Sequence, residues 1–376
     1  MAVETTVGGG PREFDVANAT IDSDGHVQEQ LTLPPDVMTE VMERIGGIDM
    51  EALTALMAAP ENDPFPMESS GPPTLQTIAG GWDPLARLVD MDADGIDIAV
   101  LYLTTPGLSF LPDAERWGVV CTAYNDWLEE YCAAAPTRLF GVGIVPLQDP
   151  AAAVREMERS LERGFKAVMI RPAPYIEDKK LHDPVYDPFW EAAESAGCPI
   201  GVHPFSFPDM PNVVSLLGLD HDTGGNPSKG LMLRQGLGNA LDIMLAMGWF
   251  VGGGICERYP NLKVAFLEGS GGWAAPMLER FDHHLEVFGS RYQTTPPSEV
   301  FKRQCYISFD PDEEALPYTA NSKYVGADRI IWASDYPHPD AKIPGVVAEL
   351  NEAIETLTDD QQRIIRGGSA ADLYNL

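Results

Sequence analysis

Eight short apolar segments recur along this chain of 376 residues, and segments with helical periodicity separate them. They are ATID near residue 21, IDIAVLYL (96–103), RLFGVGIVPL (138–147), FKAVMIRP (165–172), PIGVHP (199–204), NLKVAFLEG (261–269), CYISFD (305–310) and RIIWASD (329–335). Strands that are apolar along their whole length are buried on both faces, which is typical of a parallel sheet. Eight strand–helix units predict an α/β protein with a (β/α)8 TIM barrel. An open doubly wound sheet is the alternative.

Helical periodicity and helix-stop glycines fill the spaces between these strands. The predicted helices cover 34–45, 84–94, 113–135, 150–163, 184–196, 231–255, 273–288, 313–320, 344–356 and 359–366. We expect residues 1–18 to form a tail and residues 19–376 to form one barrel domain. A small N-terminal cap near 49–82, rich in Pro, Gly and Met, and an insertion near 205–230 would interrupt that barrel.

Charge and composition restrict the partners and the compartment. The formal net charge is -32, which argues against nucleic acid or an anionic membrane as a partner, and indicates a small-molecule substrate. Polar residues interrupt the most apolar stretch (231–255), so we expect a buried helix there and no membrane span. The five cysteines form no CxxC pair, which is typical of free thiols in a reducing compartment.

The N-terminal residues have neither a basic n-region nor an apolar h-region, so we expect no signal peptide and a cytoplasmic protein. A homodimer is compatible with the sequence, although no segment of it identifies an interface.

Acidic, basic and histidine side chains collect where the predicted strands end. They are Asp22, Asp24, His26, Arg171, His203, Glu268, Asp310 and Asp335, with His338 just beyond. In a barrel these strand ends meet at one mouth, where the carboxylates would repel one another. A bound divalent cation is the simplest compensation, because histidine and carboxylate are its usual ligands. Asp24 and His26 are two residues apart, so both point to the same side of an extended strand.

Four motifs occur in an order that resembles a known family. They are DSDGHVQE, PIGVHPF, ERYPNLKVAFLEGSGGWAAPMLERFD and IIWASDYPHPD. From about residue 20 to its end, the chain resembles the amidohydrolase-related branch of the amidohydrolase superfamily. The best-known members of this branch are the aminocarboxymuconate-semialdehyde and resorcylate-type decarboxylases.

The resemblance implies a metal-dependent (β/α)8 barrel and assigns ligands to it. In such barrels the metal is held by a His-x-His or carboxylate-x-His pair on strand 1, a histidine on strand 5 and an aspartate on strand 8. The matching residues are Asp24, His26, His203 and Asp335. Glu268 takes the place of the strand 6 histidine of the decarboxylases, and we count it as a further ligand of one or two Zn, Fe or Mn ions.

The carboxylate-rich site favours hydrolysis in our interpretation. A metal-activated hydroxide would attack an ester, thioester or amide carbonyl of a small substrate, for example a specialised metabolite, with Asp335 and His338 handling protons. The alternative is a non-oxidative decarboxylase, or a hydratase, of an aromatic or muconate-type acid. Glu268 counts against it, because a negative charge there opposes an anionic substrate. A catalytically inactive barrel is the second alternative.

Three residues around the predicted mouth are candidates for substrate binding. Arg171 ends strand 4, His221 lies in the loop after strand 5, and Trp273 follows Glu268 as a possible wall of the pocket.

Overall fold

Eight parallel strands follow one another around a single sheet in chain order. The computed structural model describes residues 15–45, 78–104, 111–204, 234–289, 292–338, 341–342 and 344–376. The strands are β1 (Ile21–Val27), β2 (Ile98–Leu103), β3 (Leu139–Ile144), β4 (Ala167–Ile170), β5 (Ile200–Val202), β6 (Val264–Phe266), β7 (Cys305–Phe309) and β8 (Ile330–Trp332). Each strand lies within or next to its predicted segment.

The sheet curves into a nearly closed barrel. Consecutive strands from β1 to β8 form parallel ladders. Where β8 meets β1, the backbone N–H of His26 donates to the carbonyl of Tyr336 at 2.6 Å, and that of Asp335 donates to the carbonyl of Asp24 at 3.2 Å. The predicted (β/α)8 TIM barrel is confirmed, and the open doubly wound sheet is wrong.

Helices connect the strands around the outside of this sheet. They are α1 (Pro35–Ile45), α2 (Pro84–Asp94), α3 (Ala114–Cys132), α4 (Pro150–Glu162), α5 (Asp187–Ala196), α6 (Ala240–Met247), α7 (Ile255–Arg258), α8 (Ala274–His284), α9 (Pro297–Gln304), α10 (Leu316–Ala320), α11 (Val346–Ala353), α12 (Asp359–Arg363) and α13 (Ser369–Tyr374). Helix α2 shows why the sequence prediction works. The Asp83 side chain accepts from the first helical N–H groups, Pro84 occupies the first turn, and Gly95 ends the helix at φ 83°.

The long apolar segment after β5 packs as a core helix does. Helix α6 lies between two π-helical turns, Arg234–Asn239 and Gly248–Gly252. The helical segment Gly236–Arg258 is long and apolar enough to cross a membrane by length and composition, but 56% of its most apolar window is buried inside the protein. Phe250, for example, packs edge-on against Trp190 and Phe266.

Helix α9 differs from the prediction, which left 289–304 without regular structure. Pro296 and Pro297 start it, and it buries Val300 and Phe301 while its last turn carries two basic residues. Eight residues are too few for a clear helical period, so no helix was predicted here. Most of the predicted cap near 49–82, and all of the insertion near 205–230, lie outside the described residues. The five cysteines are buried and free.

Candidate metal centre

Acidic and histidine side chains from β1, β5, β6 and β8 meet at the C-terminal mouth of the barrel. Asp24 and His26 come from β1, His203 follows β5, and Asp335 follows β8. The ligand atoms of Asp24, His26 and His203 lie within 4.8 Å of one another, and these three residues are buried. The same limit holds for His26, Asp335 and His338. The sequence therefore predicted which side chains converge.

The separations between these atoms fit ligands around one metal ion. His26 Nε2 lies 3.4 Å from Asp335 Oδ1 and 3.6 Å from Asp24 Oδ1, and His203 Nε2 lies 3.8 Å from Asp24 Oδ1. Two donor atoms that are each about 2.1 Å from an ion lie about 3.0 to 3.8 Å apart for angles of about 90° to 130°. The cluster is therefore a divalent transition-metal site by the chemistry and spacing of its donors.

The hydrogen bonds of His26 and His203 determine their tautomers and leave Nε2 of each ring towards the cluster. His26 Nδ1 lies 3.0 Å from the carbonyl oxygen of Leu103, and His203 Nδ1 lies 2.7 Å from that of Pro204. Since a carbonyl oxygen only accepts, both Nδ1 atoms carry the proton, and Nε2 of a neutral ring has a free lone pair. Nε2 of His26 and Oδ1 of Asp24 are buried without a hydrogen-bond partner among the described residues, as expected of atoms that coordinate a cation.

Burial sets the protonation of the ligands. It raises the pKa of Asp24 well above its ordinary value, and the charges of Asp335, Asp22 and Asp310 add to the rise. Burial lowers the pKa of His203 to about 3 and that of His26 well below its usual range. Both rings are therefore neutral at physiological pH, while Asp24 resists ionisation unless a cation is near. A divalent metal satisfies both conditions.

Asp335 and His338 form a separate pair at the edge of the cluster. His338 Nδ1 lies 2.6 Å from Asp335 Oδ1, and the His338 ring stacks on that of His26 with a centroid separation of 4.1 Å. The pair is partly open, with 17% and 18% of the two side chains exposed. An imidazole therefore lies where an incoming substrate can meet it.

Glu268 reaches the cluster from the end of β6. Its Oε2 lies 3.0 Å from His203 Nε2, and its Oε1 accepts a hydrogen bond of 3.1 Å from Asn239 Nδ2. Glu268 and Asp335 both have left-handed backbone, with φ of 47° and 55°. Such backbone costs energy in a residue with a side chain, and it is concentrated at functional sites. Glu268 as a metal ligand remains a prediction.

The three predicted substrate-binding residues have different surroundings. The Arg171 guanidinium stacks on Tyr175, 4.4 Å from the ring centre, and donates to the carbonyl of Pro174. Trp273 precedes α8, is half-buried, and donates from Nε1 to the carbonyl of Gly269 at 2.7 Å. His221 lies outside the described residues. Their roles remain predictions.

The sequence analysis missed the buried residues behind the cluster. Asp22 was noted at the strand end without a role, and Arg87, Ser334 and Asn239 were not noted as site residues. Arg87 carried a signal, because it lies four residues before Met91 and therefore on the buried face of α2. Ser334 and Asn239 carried none, since the residues that they contact are distant in the sequence.

Several of the known proteins that this chain resembles are decarboxylases. The chain is 25% identical over 299 residues to 2-amino-3-carboxymuconate-6-semialdehyde decarboxylase of Dictyostelium discoideum, covering 78% of this chain and 77% of that protein. It is 26% identical over 341 residues to gamma-resorcylate decarboxylase of Rhodococcus jostii, covering 81% and 95%. Its structure matches 5-carboxyvanillate decarboxylase of Novosphingobium aromaticivorans, complexed with manganese, with a TM-score of 0.69, 22% identity and coverage of 96% and 97%.

These relatives show that the hydrolase prediction is wrong. That prediction rested on the carboxylate-rich site and on the replacement of a strand 6 histidine by Glu268, whose negative charge was taken to oppose an anionic substrate. The structure places the imidazole of His338, in the loop after β8, beside Asp335 and against the ring of His26. The sequence analysis had located His338 at the same mouth, but it assigned this residue to proton handling in hydrolysis and gave more weight to the carboxylates.

The amidohydrolase sequence family matches residues 21–376, from the first residue of β1 to the end of the chain. The match includes all eight strands and each residue of the metal cluster. The chain is a metal-binding enzyme with a (β/α)8 barrel, and it belongs to the amidohydrolase family.

Proposed function

We propose that the protein is a metal-dependent, non-oxidative decarboxylase of a small hydroxylated aromatic or muconate-type acid. The observation that carries the proposal is the joint presence of the Asp24–His26–His203–Asp335 cluster and a partly open Asp335–His338 pair. Relatives named as gamma-resorcylate and aminocarboxymuconate-semialdehyde decarboxylases, which cover most of the chain, support the reaction class.

The metal is held by Asp24, His26, His203 and Asp335, with Glu268 as a further ligand. When bound, the metal would supply a positive charge that favours an anionic substrate at the mouth. One ion is enough, because His26 belongs to both groups of donors and His338 is engaged with Asp335. Manganese is our first choice, since the structural relative from Novosphingobium aromaticivorans is complexed with it.

Asp335 and His338 handle the proton that the reaction consumes. A proton held between Asp335 Oδ1 and His338 Nδ1 passes from the carboxyl group to the ring carbon that bears the carboxylate. The carbon–carboxylate bond then breaks, its electron pair returns to the ring, and CO2 leaves. His338 restores the proton to Asp335 from solvent, to which both side chains are partly open.

Burial of the ligands favours the departure of CO2. Asp24, His26 and His203 are at most 3% exposed, so the bottom of the mouth is shielded from water. A carboxylate loses its charge as it becomes CO2, and weak solvation of the charged form therefore assists the cleavage.

The test is turnover by protein reconstituted with Mn²⁺. A panel of hydroxybenzoates, including gamma-resorcylate and 5-carboxyvanillate, is incubated with the wild type and with Asp335→Asn, and CO2 and the phenolic product are measured. We expect both products in equal amounts from the wild type and a fall of at least about 10³-fold in Asp335→Asn. A protein that retains its metal but releases no CO2 from any acid in the panel contradicts the proposal.

A further inference from the structure

The carboxylate of Asp22 connects the two ends of the barrel sheet. Asp22 lies two residues before Asp24 on β1, and Ser334 directly precedes Asp335 after β8. Asp22 Oδ1 accepts from the backbone N–H of Ser334 at 2.9 Å, and Oδ2 accepts from its hydroxyl at 2.6 Å. Both residues are buried, so this two-point contact is shielded from water.

Arg87 of α2 connects the contact between Asp22 and Ser334 to His26, the second predicted metal ligand on β1. Its Nη1 donates to the backbone carbonyl of His26 at 2.8 Å, and its Nη2 lies 3.6 Å from Asp22 Oδ2. The guanidinium also stacks on Tyr336 at 4.1 Å from the ring centre. Only 1% of Arg87 is exposed, and a charge buried to that extent is retained only where it is paired.

Gly25 shows how closely these groups approach the strand. A Cβ atom at this position would lie 2.4 Å from Arg87 Nη2 and 2.5 Å from Asp22 Oδ2. The register of β1 against β2 shifts between Asp22 and Gly25, which is the point where the chain accommodates the guanidinium. A side chain at position 25 would therefore displace the contact between Arg87 and Asp22.

Within the part of the chain that the structure describes, no ladder joins β8 to β1 at their junction (the β8–β1 seam), so a side-chain contact there stabilises the closure of the sheet. The seven other neighbouring pairs of strands are joined by ladders, whereas this seam has backbone hydrogen bonds only beyond β8 among the described residues. The seam also separates two metal-ligand candidates, since His26 lies on one side and Asp335 on the other, with their ligand atoms 3.4 Å apart.

We propose that Asp22, Ser334 and Arg87 form a clasp that sets the separation of His26 and Asp335 and thereby the affinity for the metal. The three are positioning residues and contact neither metal nor substrate. The clasp fixes the backbone beside His26 and Asp335 before the ion binds. Less conformational entropy is therefore lost when the two side chains are ordered around the metal. The inference rests on the metal centre of the proposed function, and its test measures metal affinity independently of turnover.

The test compares Ser334→Ala with Ser160→Ala. Ser160 is also fully buried and donates one hydrogen bond, at 2.8 Å to the carbonyl of Glu156, but it lies on α4 away from the mouth. The Kd for Mn²⁺ is measured by titration of metal-free protein, and the melting temperature is measured without metal. We expect Ser334→Ala to weaken Mn²⁺ binding about 10-fold or more, and Ser160→Ala to change it less than about twofold.

Arg87→Lys is a second variant, which keeps the charge but cannot reach both His26 and Asp22, and we expect the same loss of affinity from it. Equal Kd values for Ser334→Ala and Ser160→Ala, with Arg87→Lys also unchanged, overturn the clasp even if the wild type releases CO2. A weaker Kd in Ser334→Ala supports the clasp even if no acid is decarboxylated. A wild type that binds no Mn²⁺ overturns both proposals.

Discussion

Nδ1 of His338 lies 2.6 Å from Oδ1 of Asp335, and the His338 ring stacks on the ring of His26. A proton can therefore be stored beside the metal ligands, between a carboxylate and an imidazole. The pair places an imidazole at the mouth, where Glu268 at the end of β6 adds a carboxylate. We expect Asp24, His26 and His203 to hold the ion, and Asp335 to serve both as a ligand and, with His338, in proton delivery.

Replacement of His338 tests this assignment. We expect His338→Gln to lower kcat about 10²- to 10³-fold, because Asp335 then loses the group that restores its proton. The Kd for Mn²⁺ should change only a fewfold, since Asp24, His26 and His203 remain. Steady-state kinetics and metal titration measure the two effects. A parallel loss of metal would identify His338 as a ligand instead of a proton carrier.

Replacement of Asp24 should separate metal binding from stability. Burial raises the pKa of Asp24 above its value in the unfolded chain, so the folded state favours the neutral acid. Its contribution to stability is complete below about pH 4 and is lost as the pH rises through the raised pKa. Without metal at pH 8, Asp24→Asn should therefore melt a few degrees higher than the wild type. Its Mn²⁺ affinity should fall at least about 100-fold. A lower melting temperature of the metal-free variant at pH 8 would contradict the raised pKa.

Metal binding should stabilise the protein and release a proton. A concentration of Mn²⁺ at about 100 times Kd adds about 2.7 kcal/mol to the free energy of unfolding. Because Asp24 must ionise to bind, the affinity should decrease as the pH falls from 8 to 5. The His203 ring, with its pKa lowered to about 3, does not compete through that range. Calorimetry in two buffers of different ionisation enthalpy counts the protons. Uptake of protons on binding would be the contrary result.

The buried carboxyl group of Asp242 on α6 predicts a second pH effect. Burial on α6 raises its pKa to about 8, and its Oδ1 has no hydrogen-bond partner among the residues that the structure describes. Its contribution to stability is complete below about pH 4 and disappears between pH 4 and 8, a loss on the order of a few kcal/mol. Asp242→Asn should therefore gain most stability over the wild type at pH 9 and least at pH 4.

Thermal melts at pH 4, 7 and 9 measure this difference, with the exposed Asp312→Asn as the control. The control should track the wild type at every pH. A constant offset between Asp242→Asn and the wild type from pH 4 to 9 would refute the raised pKa.

Periodicity was enough to predict the barrel. Strands such as IAVLYL of β2 are apolar throughout, and capped helices such as Pro84–Asp94 separate them, so local patterns determine the order of the elements. Parallel strands bring their carboxyl ends together, which placed Asp24, His26, His203 and Asp335 at one mouth without any contact information. Helix α9 was missed because eight residues that begin with two prolines show no period.

The chemistry of the site depended on contacts that the sequence does not contain. His338 stacks on His26 although 312 positions separate them along the chain, and Ser334 contacts Asp22 across the same seam. Counting charged groups strand by strand gave too much weight to Glu268. The comparison with the relatives overturned the hydrolase prediction, and the structure showed the imidazole of His338 beside the cluster.

The fate of isotopes in the product tests the proposed decarboxylation most directly. The Mn²⁺ enzyme is supplied with its best hydroxybenzoate substrate in D2O, and separately in H2¹⁸O, and the products are analysed by NMR and mass spectrometry. We predict one CO2 per product, one deuterium on the carbon that carried the carboxylate, and no ¹⁸O in the phenolic product. A product that gains ¹⁸O and no deuterium, with no CO2 released, would contradict the account.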